Sequence, residues 1–299
     1  MLLGGLMKKL GILNEEFVKS CNKFNFTVTL PALLFRDIAG TDILGVFDIK
    51  YVLFCAGATT AAFFGIWGLS KLFIKSRPQR GAFVQACYRS SAAVLGVAFI
   101  QNIYGNAGMA PLMIVGSVPL FNIYAVIVLT FESDHGSDSK KENIKRACLG
   151  VLKNPIIISI FLGIASSLAG IKYPVIINKT LESVASLAAP LALIAMGAGF
   201  KLGSVLKKLR YASAAAAVKL IVLPAIFLPI AVSMGFADEK LVALIIMLGS
   251  PTTPSAYTMA ENMNGDGVLT SGAVVLTTMF SALTLTFWIF IFRYMGLIA

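Results

Sequence analysis

Gly249-Ser250-Pro251-Thr252-Thr253-Pro254-Ser255 sits in the middle of an apolar stretch that runs from 241 to 262. Two prolines within four residues remove backbone donors and clash with the preceding turn, so one continuous helix cannot pass through this point. The flanks are apolar enough to lie in a membrane, where freed backbone groups are tolerated only if protein or a watery cavity satisfies them. Hydroxyl side chains commonly give that help. The stretch therefore predicts two half-helices that meet at a polar point inside the bilayer.

The rest of the chain supports a membrane setting. Hydrophobic residues make up 58% of the 299 residues and charged residues only 13%, against roughly 25% charged in an ordinary soluble domain. Apolar runs bounded by charge or turn clusters predict spans at 24–40, 51–70, 81–103, 107–131, 154–170, 182–200, 211–234, 241–262 and 268–292. Met1 to Leu10 forms a further fragment, shorter than the roughly 20 residues a span requires. Lysines follow its Gly4-Gly5-Leu6-Met7 rather than precede it, which argues against a signal peptide.

A repeat orders these spans. Gly11-Ile12, Pro31, Leu34 and Gly40 recur 159 residues later as Gly170-Ile171, Pro190, Leu193 and Gly199. At an offset of 160, Asn102, Gly105 and Asn106 recur as Asn262, Gly265 and Asp266. The expectation is an all-α polytopic membrane protein with ten transmembrane helices, the first one truncated. Residues 1–131 form one five-helix repeat, 132–153 a cytoplasmic linker and 154–299 a second repeat. An odd number of spans per half inverts the second half relative to the first, as in many secondary transporters.

The formal net charge of +11 follows topology rather than nucleic-acid affinity. Seventeen Lys and Arg fall in the first, third, fifth and seventh loops and six on the other side. This bias predicts a cell (inner) membrane protein with both termini outside and the linker in the cytoplasm. Cys21, Cys55, Cys87 and Cys148 are scattered without a metal-binding spacing and read as small apolar residues. The single histidine, His135, lies in the linker, which excludes a histidine-based dyad or multi-histidine metal site within the bilayer. No metal or cofactor is expected.

Ionisable residues deep in a membrane are functional candidates. Arg89 and Lys219 each lie eight or nine residues into a span, roughly 12 Å deep in a core about 30 Å thick. Two roles are open to them: contact with an anion, or neutralisation of the negative C-terminal ends of half-helices. The fourth span carries Ser90-Ser91 and then Gly96 where the ninth carries its prolines. Each break would aim a half-helix N-terminus at the site, with roughly half a positive charge. Asn102, Asn106, Asn122, Asn262 and Tyr257 are weaker candidates, since polar residues near helix ends mostly face headgroups. Asp37, Glu132 and Glu261 also read as end residues, leaving no carboxylate inside a span and disfavouring a cation or proton exchanger.

Leu30-Pro31-Ala32-Leu33-Leu34-Phe35, Tyr88-Arg89-Ser90-Ser91, Pro119-Leu120-Phe121-Asn122, Lys153-Asn154-Pro155, Ala189-Pro190-Leu191-Ala192-Leu193 and Asp266 to Ser281 form an ordered set. This set resembles the auxin efflux carrier family of bacterial and plant transporters. The resemblance implies ten helices in inverted five-helix repeats, with crossed fourth and ninth helices around an organic anion such as auxin or a dicarboxylate. Two family features are replaced: Ser91 stands where the family has Asn, and Gly96-Val97-Ala98 where it has Gly-x-Pro. Arg89 is kept.

The expected function is secondary or facilitated transport of a small organic anion by alternating access, without enzymatic activity. The candidate substrate-binding residues are Arg89, Ser90, Ser91, Asn122, Pro251, Thr252, Thr253, Pro254, Ser255 and Lys219, with Gly96, Pro251 and Pro254 as helix breakers. The partners are the lipid bilayer and the anion, with H+ or Na+ as candidate coupling ions, a homodimer as a candidate assembly, and no nucleic acid. An ion-coupled cation exchanger on a similar frame and a non-transporting membrane scaffold or sensor are the alternatives.

Overall fold

The computed structural model describes residues 1–40, 48–105, 108–133 and 148–298, and every regular element among them is helical. Most of the expected linker and its His135, together with Asn106, lie outside the described residues. In chain order the helices are α1 (Leu2–Lys9), α2 (Glu15–Phe24), α3 (Leu30–Ala39), α4 (Ile49–Phe73), α5 (Arg77–Tyr88), α6 (Ala92–Tyr104) and α7 (Ala110–Phe131). After the linker come α8 (Pro155–Leu168), α9 (Val175–Ser186), α10 (Ala188–Gly199), α11 (Leu202–Lys207), α12 (Leu209–Ala217), α13 (Leu223–Ser233), α14 (Asp238–Gly249), α15 (Ser255–Asn262) and α16 (Gly267–Tyr294).

Among the described residues, five stretches are long and apolar enough to cross a membrane: Ile49–Phe73, Ala110–Phe131, Val175–Gly199, Leu209–Ser233 and Gly267–Tyr294. Only 22% of the most apolar window of α16 is buried, against 67% for α7. Helix α16 instead exposes Met279, Phe280, Leu283, Phe287 and Phe290, a surface suited to lipid, while α7 lies inside the bundle.

Two helices begin earlier than their hydropathy predicts. The second expected span starts at Glu15 rather than 24, because Asn14 Oδ1 accepts from Phe17 N at 2.7 Å and Glu15 and Glu16 favour the positive helix start. Lys19 and Lys23 therefore stand on exposed helix turns, not in a loop. The seventh begins at Val175 rather than 182, and its early turns carry the polar residues Asn178, Lys179, Thr180 and Glu182. Both extensions are amphipathic or polar turns that an apolar-run criterion leaves out.

Two π-helical turns, Asn25–Thr29 and Val218–Val222, join α2 to α3 and α12 to α13. Each precedes a proline at the start of the next helix, Pro31 and Pro224. Proline cannot donate to the carbonyl four residues back, and one widened turn absorbs the loss without ending the helix.

Glycines set the closest helix contacts. A Cβ on Gly4 would stand 2.2 Å from the Ile194 carbonyl oxygen, so α1 lies directly against α10. Gly163, 159 residues later, also brings α8 close to α3, though less tightly: a Cβ would stand 3.1 Å from Ile38 Cβ and 3.3 Å from the Phe35 carbonyl. The helix ends match as well. Gly11 (φ 75°) and Gly170 (φ 61°) both terminate helices in the left-handed conformation. In each, the glycine N–H and the following isoleucine N–H bond back to the last turn: Gly11 to Lys8 and Ile12 to Met7, Gly170 to Ser167 and Ile171 to Ser166.

The helices sort into two packed groups. Helices α1, α2, α3, α8, α9 and α10 pack mainly on one another, while α4 to α7 and α11 to α16 form a larger bundle. The ion pairs Asp48–Lys240, Lys208–Asp266 and Arg80–Glu132 are all internal to the larger bundle. Asp48 also caps α4, and the Lys240 ammonium with the Tyr51 N–H holds its carboxyl below the usual carboxylate range. Glu132, expected at the start of a solvated linker, is instead buried and accepts from Trp67 Nε1 at 2.6 Å as well as from Arg80.

Within that bundle Gly116 lets α7 touch α4: an added Cβ would meet Cys55 Cβ at 2.8 Å and the Val52 carbonyl at 2.9 Å. Gly116→Val should lower the melting temperature of the detergent-solubilised protein, since overpacking costs about 1–3 kcal/mol. Gly65→Val, where nothing lies within 4 Å of the new Cβ, should leave it unchanged.

Candidate functional site

The α5–α6 and α14–α15 pairs are each a helix broken in the middle, and the two breaks touch. At the first, Arg89 leaves α5 with extended backbone (φ −67°, ψ 143°); at the second, Ser250 leaves α14 in the same way (φ −73°, ψ 159°). Each break then satisfies the other. Ser91 N donates to the Pro251 carbonyl at 3.0 Å. Thr252 Oγ1 donates to the Ala86 carbonyl at the end of α5 (2.7 Å), and Ser90 Oγ donates to the Ile246 carbonyl near the end of α14 (3.3 Å). Ser90 and Ser250, 160 residues apart, hydrogen-bond to each other through their hydroxyls. The Ala86 and Pro251 carbonyls thereby gain donors at the interruptions, and the Ile246 carbonyl accepts from Ser90 Oγ in addition to Ser250 N at 3.0 Å.

Arg89 is only 2% exposed. Its NH2 donates to Asn122 Oδ1 at 2.8 Å and Ser255 Oγ at 2.9 Å, and its NH1 contacts Met259 Sδ at 2.9 Å. All three acceptors are neutral, and Arg89 Nε is buried without a partner. Two anchors fix the position: Tyr88 OH donates to the Phe121 carbonyl at 2.9 Å, and Asn122 Nδ2 donates to the Val118 carbonyl at 2.9 Å. A guanidinium buried among neutral groups is costly unless something charged meets it.

A cavity of about 60 Å³ opens beside Arg89. Its polar lining comes from Asp37, Arg89, Ser90, Ser91, Asn122, Thr253 and Ser255, and its apolar wall includes Leu30, Leu33, Leu34 and Phe121. The starts of α6 and α15 both reach it, through Ser91 and Ala93 on one side and Thr253 and Ser255 on the other. The volume exceeds the roughly 10–15 Å³ that one water needs, so the chamber has room for a small polar group.

Most of the residues expected at the site do meet here. Pro251 and Thr252 lie in the contact between the breaks, and Pro254 caps α15. Gly96 does not break a helix: it lies inside α6, and a Cβ there would stand 2.7 Å from Met113 Cε, so its smallness serves packing against α7. Lys219 is fully buried on the second π turn, away from the cavity lining, and donates to the Leu248 (2.7 Å) and Met247 (3.2 Å) carbonyls. It faces the negative end of α14, the second of the two roles the sequence leaves open.

Two participants escape the sequence reading. Met259 supplies a sulfur to Arg89, for which the sequence carries no signal. Asp37 does stand in the last turn of α3, as read, but it also lines the cavity, which the sequence reading did not anticipate. Its signal was available: Leu30, Leu33, Leu34 and Asp37 follow i, i+3, i+4, i+7 spacing and share one helix face.

Residues 1–289 match the family model described as membrane transport protein. The chain belongs to this family, the auxin efflux carriers. It is therefore a polytopic membrane transport protein, helical in every regular element among its described residues. Similar members include an uncharacterised transporter of Methanothermobacter thermautotrophicus, 22% identical, with 96% of this chain and 93% of the relative covered. An uncharacterised transporter of Escherichia coli K12 is 22% identical over 98% of this chain and 94% of its own length. A Rhizobium meliloti protein provisionally named a malonate transporter is 23% identical, over 98% and 92%.

The placement of Lys219 separates structure from ligand contact in this transporter. Lys219→Met leaves two buried carbonyls without their donor, a loss of about 1–3 kcal/mol per unsatisfied group. The variant should melt earlier yet keep any stabilisation by added carboxylates. Loss of ligand stabilisation at an unchanged melting temperature would place Lys219 in the site instead.

Proposed function

We propose that the protein carries a small organic anion across the cell (inner) membrane by alternating access. The carrying observation is Arg89, a buried cation at a helix break, bonded to neutral groups and lining a cavity that two half-helix starts also face. The ligand carboxylate meets Arg89 and the starts of α6 and α15, whose helix ends carry partial positive charge. The Rhizobium meliloti relative's name fits such a cargo.

In this reading the helices make ten crossings: α1, α2–α3, α4, α5–α6, α7, α8, α9–α10, α12–α13, α14–α15 and α16. The crossings form two five-helix repeats of opposite orientation, joined by the linker at 132–153. Three observations support the repeat. Gly4 and Gly163 both make close helix contacts, Gly11-Ile12 and Gly170-Ile171 end helices identically, and Ser90 touches its own counterpart Ser250. A residue that contacts its repeat partner lies near the axis relating the halves. The positive-inside bias puts both termini outside and the linker in the cytoplasm.

A cation exchanger is the reading that Asp37 favours. Arg89 in the same small chamber opposes it, because two like charges in a poorly solvated space repel. Arg89→Gln should insert normally but lose carboxylate transport in proteoliposomes by about 100-fold or more, the cost of removing a buried ion contact. Retained uptake across a panel of mono- and dicarboxylates would remove the anion reading. A pH or current response to cations alone would support the exchanger.

Alternation moves the smaller helix group against the larger one, so bonds that cross between them must break. Asn262 Nδ2 donates to the Asn22 carbonyl at 3.0 Å and Asn25 Nδ2 to Thr258 Oγ1 at 3.3 Å, both in the half assigned to the cytoplasmic side. Losing one such bond is worth about 1 kcal/mol, or about fivefold in population. Asn262→Ala should raise cytoplasmic-side maleimide labelling of Ala93→Cys by about that factor, on a background with Cys148 replaced. Unchanged labelling would exclude this closure.

A further inference from the structure

Lys50 stands at one end of an apolar groove of about 400 Å³ between α4 and α13, on the exposed side of the larger helix group. We propose that this groove holds one acyl chain of an anionic phospholipid, with the lipid phosphate on the Lys50 ammonium. The groove shares no lining residue with the Arg89 chamber.

Helix periodicity builds the groove. Helix α4 turns Lys50, Leu53, Phe54, Gly57 and Ala58 towards it, at i, i+3, i+4, i+7 and i+8 spacing. Across from them α13 presents Phe227, Ile230 and Met234, at i, i+3 and i+7. Phe54 and Ala58 are buried and form the floor, while Leu53 and Ile230 are exposed and stand as walls. A Cβ on Gly57 would meet nothing within 4 Å, so this glycine leaves space open instead of drawing two helices together as Gly116 does.

Dimensions select the occupant. From Lys50 to Ala58 the helix rises about 12 Å, inside the roughly 15 Å of hydrocarbon in one leaflet. Over that length the volume gives a section of about 33 Å², far under that of a helix 10–12 Å across. A single hydrocarbon chain fits, and a partner helix does not. Bulk lipid is as apolar as the groove, so close contact with fixed walls holds the chain rather than a hydrophobic gain.

The headgroup preference comes from Lys50. Its Nζ donates to the Met234 carbonyl at the end of α13 at 2.7 Å and lies 5.6 Å from the Phe236 ring centroid. Phe236 is in turn held edge-on by Tyr51 and Phe54. The ammonium is thus pinned at the groove mouth with one hydrogen bond among the described residues, which leaves two of its three N–H groups for a phosphate. Its neighbour Asp48 does not cancel it, because that carboxylate pairs with Lys240. A zwitterionic lipid brings its own cation beside the phosphate and weakens the pairing, whereas an anionic lipid keeps it whole. A second groove, about 330 Å³ between α3 and α9, is equally apolar but has no charged lining residue. It offers no such preference.

Native mass spectrometry of the full-length protein, with equal phosphatidylglycerol and phosphatidylcholine of matched chains, tests this. Wild type should retain phosphatidylglycerol about fivefold over phosphatidylcholine, the worth of one lysine near a membrane surface. Lys50→Gln, which keeps a donor for Met234, should bring the two lipids to within about twofold of each other, and Lys50→Arg should hold the preference. Gly57→Phe fills the groove and should lose retained lipid of both kinds, whereas Thr180→Phe in the second groove should not. Should Gly57→Phe melt earlier than wild type, Gly57→Leu takes its place.

Equal retention of the two lipids by wild type overturns the proposal, as does a preference that survives Lys50→Gln. Retention unchanged in Gly57→Phe, or lost as fully in Thr180→Phe, puts the lipid elsewhere and overturns it too. A dimer that Gly57→Phe separates would make a second copy the occupant, with the same result.

Discussion

The reciprocal bonding of two helix breaks is the constraint on which the rest of this protein depends. A helix interrupted inside a membrane leaves carbonyls and N–H groups that lipid cannot satisfy. Here the first break serves the second and the second serves the first: Ser91 N to Pro251, Thr252 to Ala86, Ser90 to Ile246. Lys219 closes the account by holding the last carbonyls of α14. Neither interruption could stand alone in an apolar surrounding, so the presence of one demands the other at contact distance.

That contact also explains why the polar chamber lies where it does. The carbonyl ends of the broken helices are occupied by hydroxyls and an ammonium, which leaves the opposite, N–H-bearing ends of α6 and α15 facing the cavity. Arg89 joins them there, held by Asn122 and Ser255. Positive character thus gathers on one side of the crossing while negative character is neutralised on the other. Lys219 and Arg89 sit at similar sequence depth in their spans but take unlike roles, because one faces carbonyl ends and the other faces the chamber.

The spatial grouping of helices cuts across the chain. Helices α1 to α3 and α8 to α10 make the smaller group, α4 to α7 and α11 to α16 the larger one, and the chamber lies between them. Leu30, Leu33, Leu34 and Asp37 come from one side; Arg89, Asn122, Thr253 and Ser255 come from the other. A relative shift of the groups therefore changes the walls of the chamber directly. The ion pairs Asp48–Lys240, Lys208–Asp266 and Arg80–Glu132 all lie within the larger group and tie its helices to one another.

The sequence alone determined the apolar helices, both breaks and the buried cation. The reason is that Pro251 and Pro254 act through local backbone chemistry, and an arginine within an apolar run is conspicuous wherever it points. Local signals misled where a residue's role depends on its neighbours. Gly96 reads as a breaker but packs against Met113, the polar start of α2 reads as a loop but is capped by Asn14, and Asp37 reads only as an end residue but also faces the chamber. Only the tertiary structure decided which break bonds to which, that Lys219 serves a helix end while Arg89 lines the cavity, and that an acid shares Arg89's chamber. Those facts are distances between residues far apart in the chain, and spacing along a helix carries no information about what the facing helix presents.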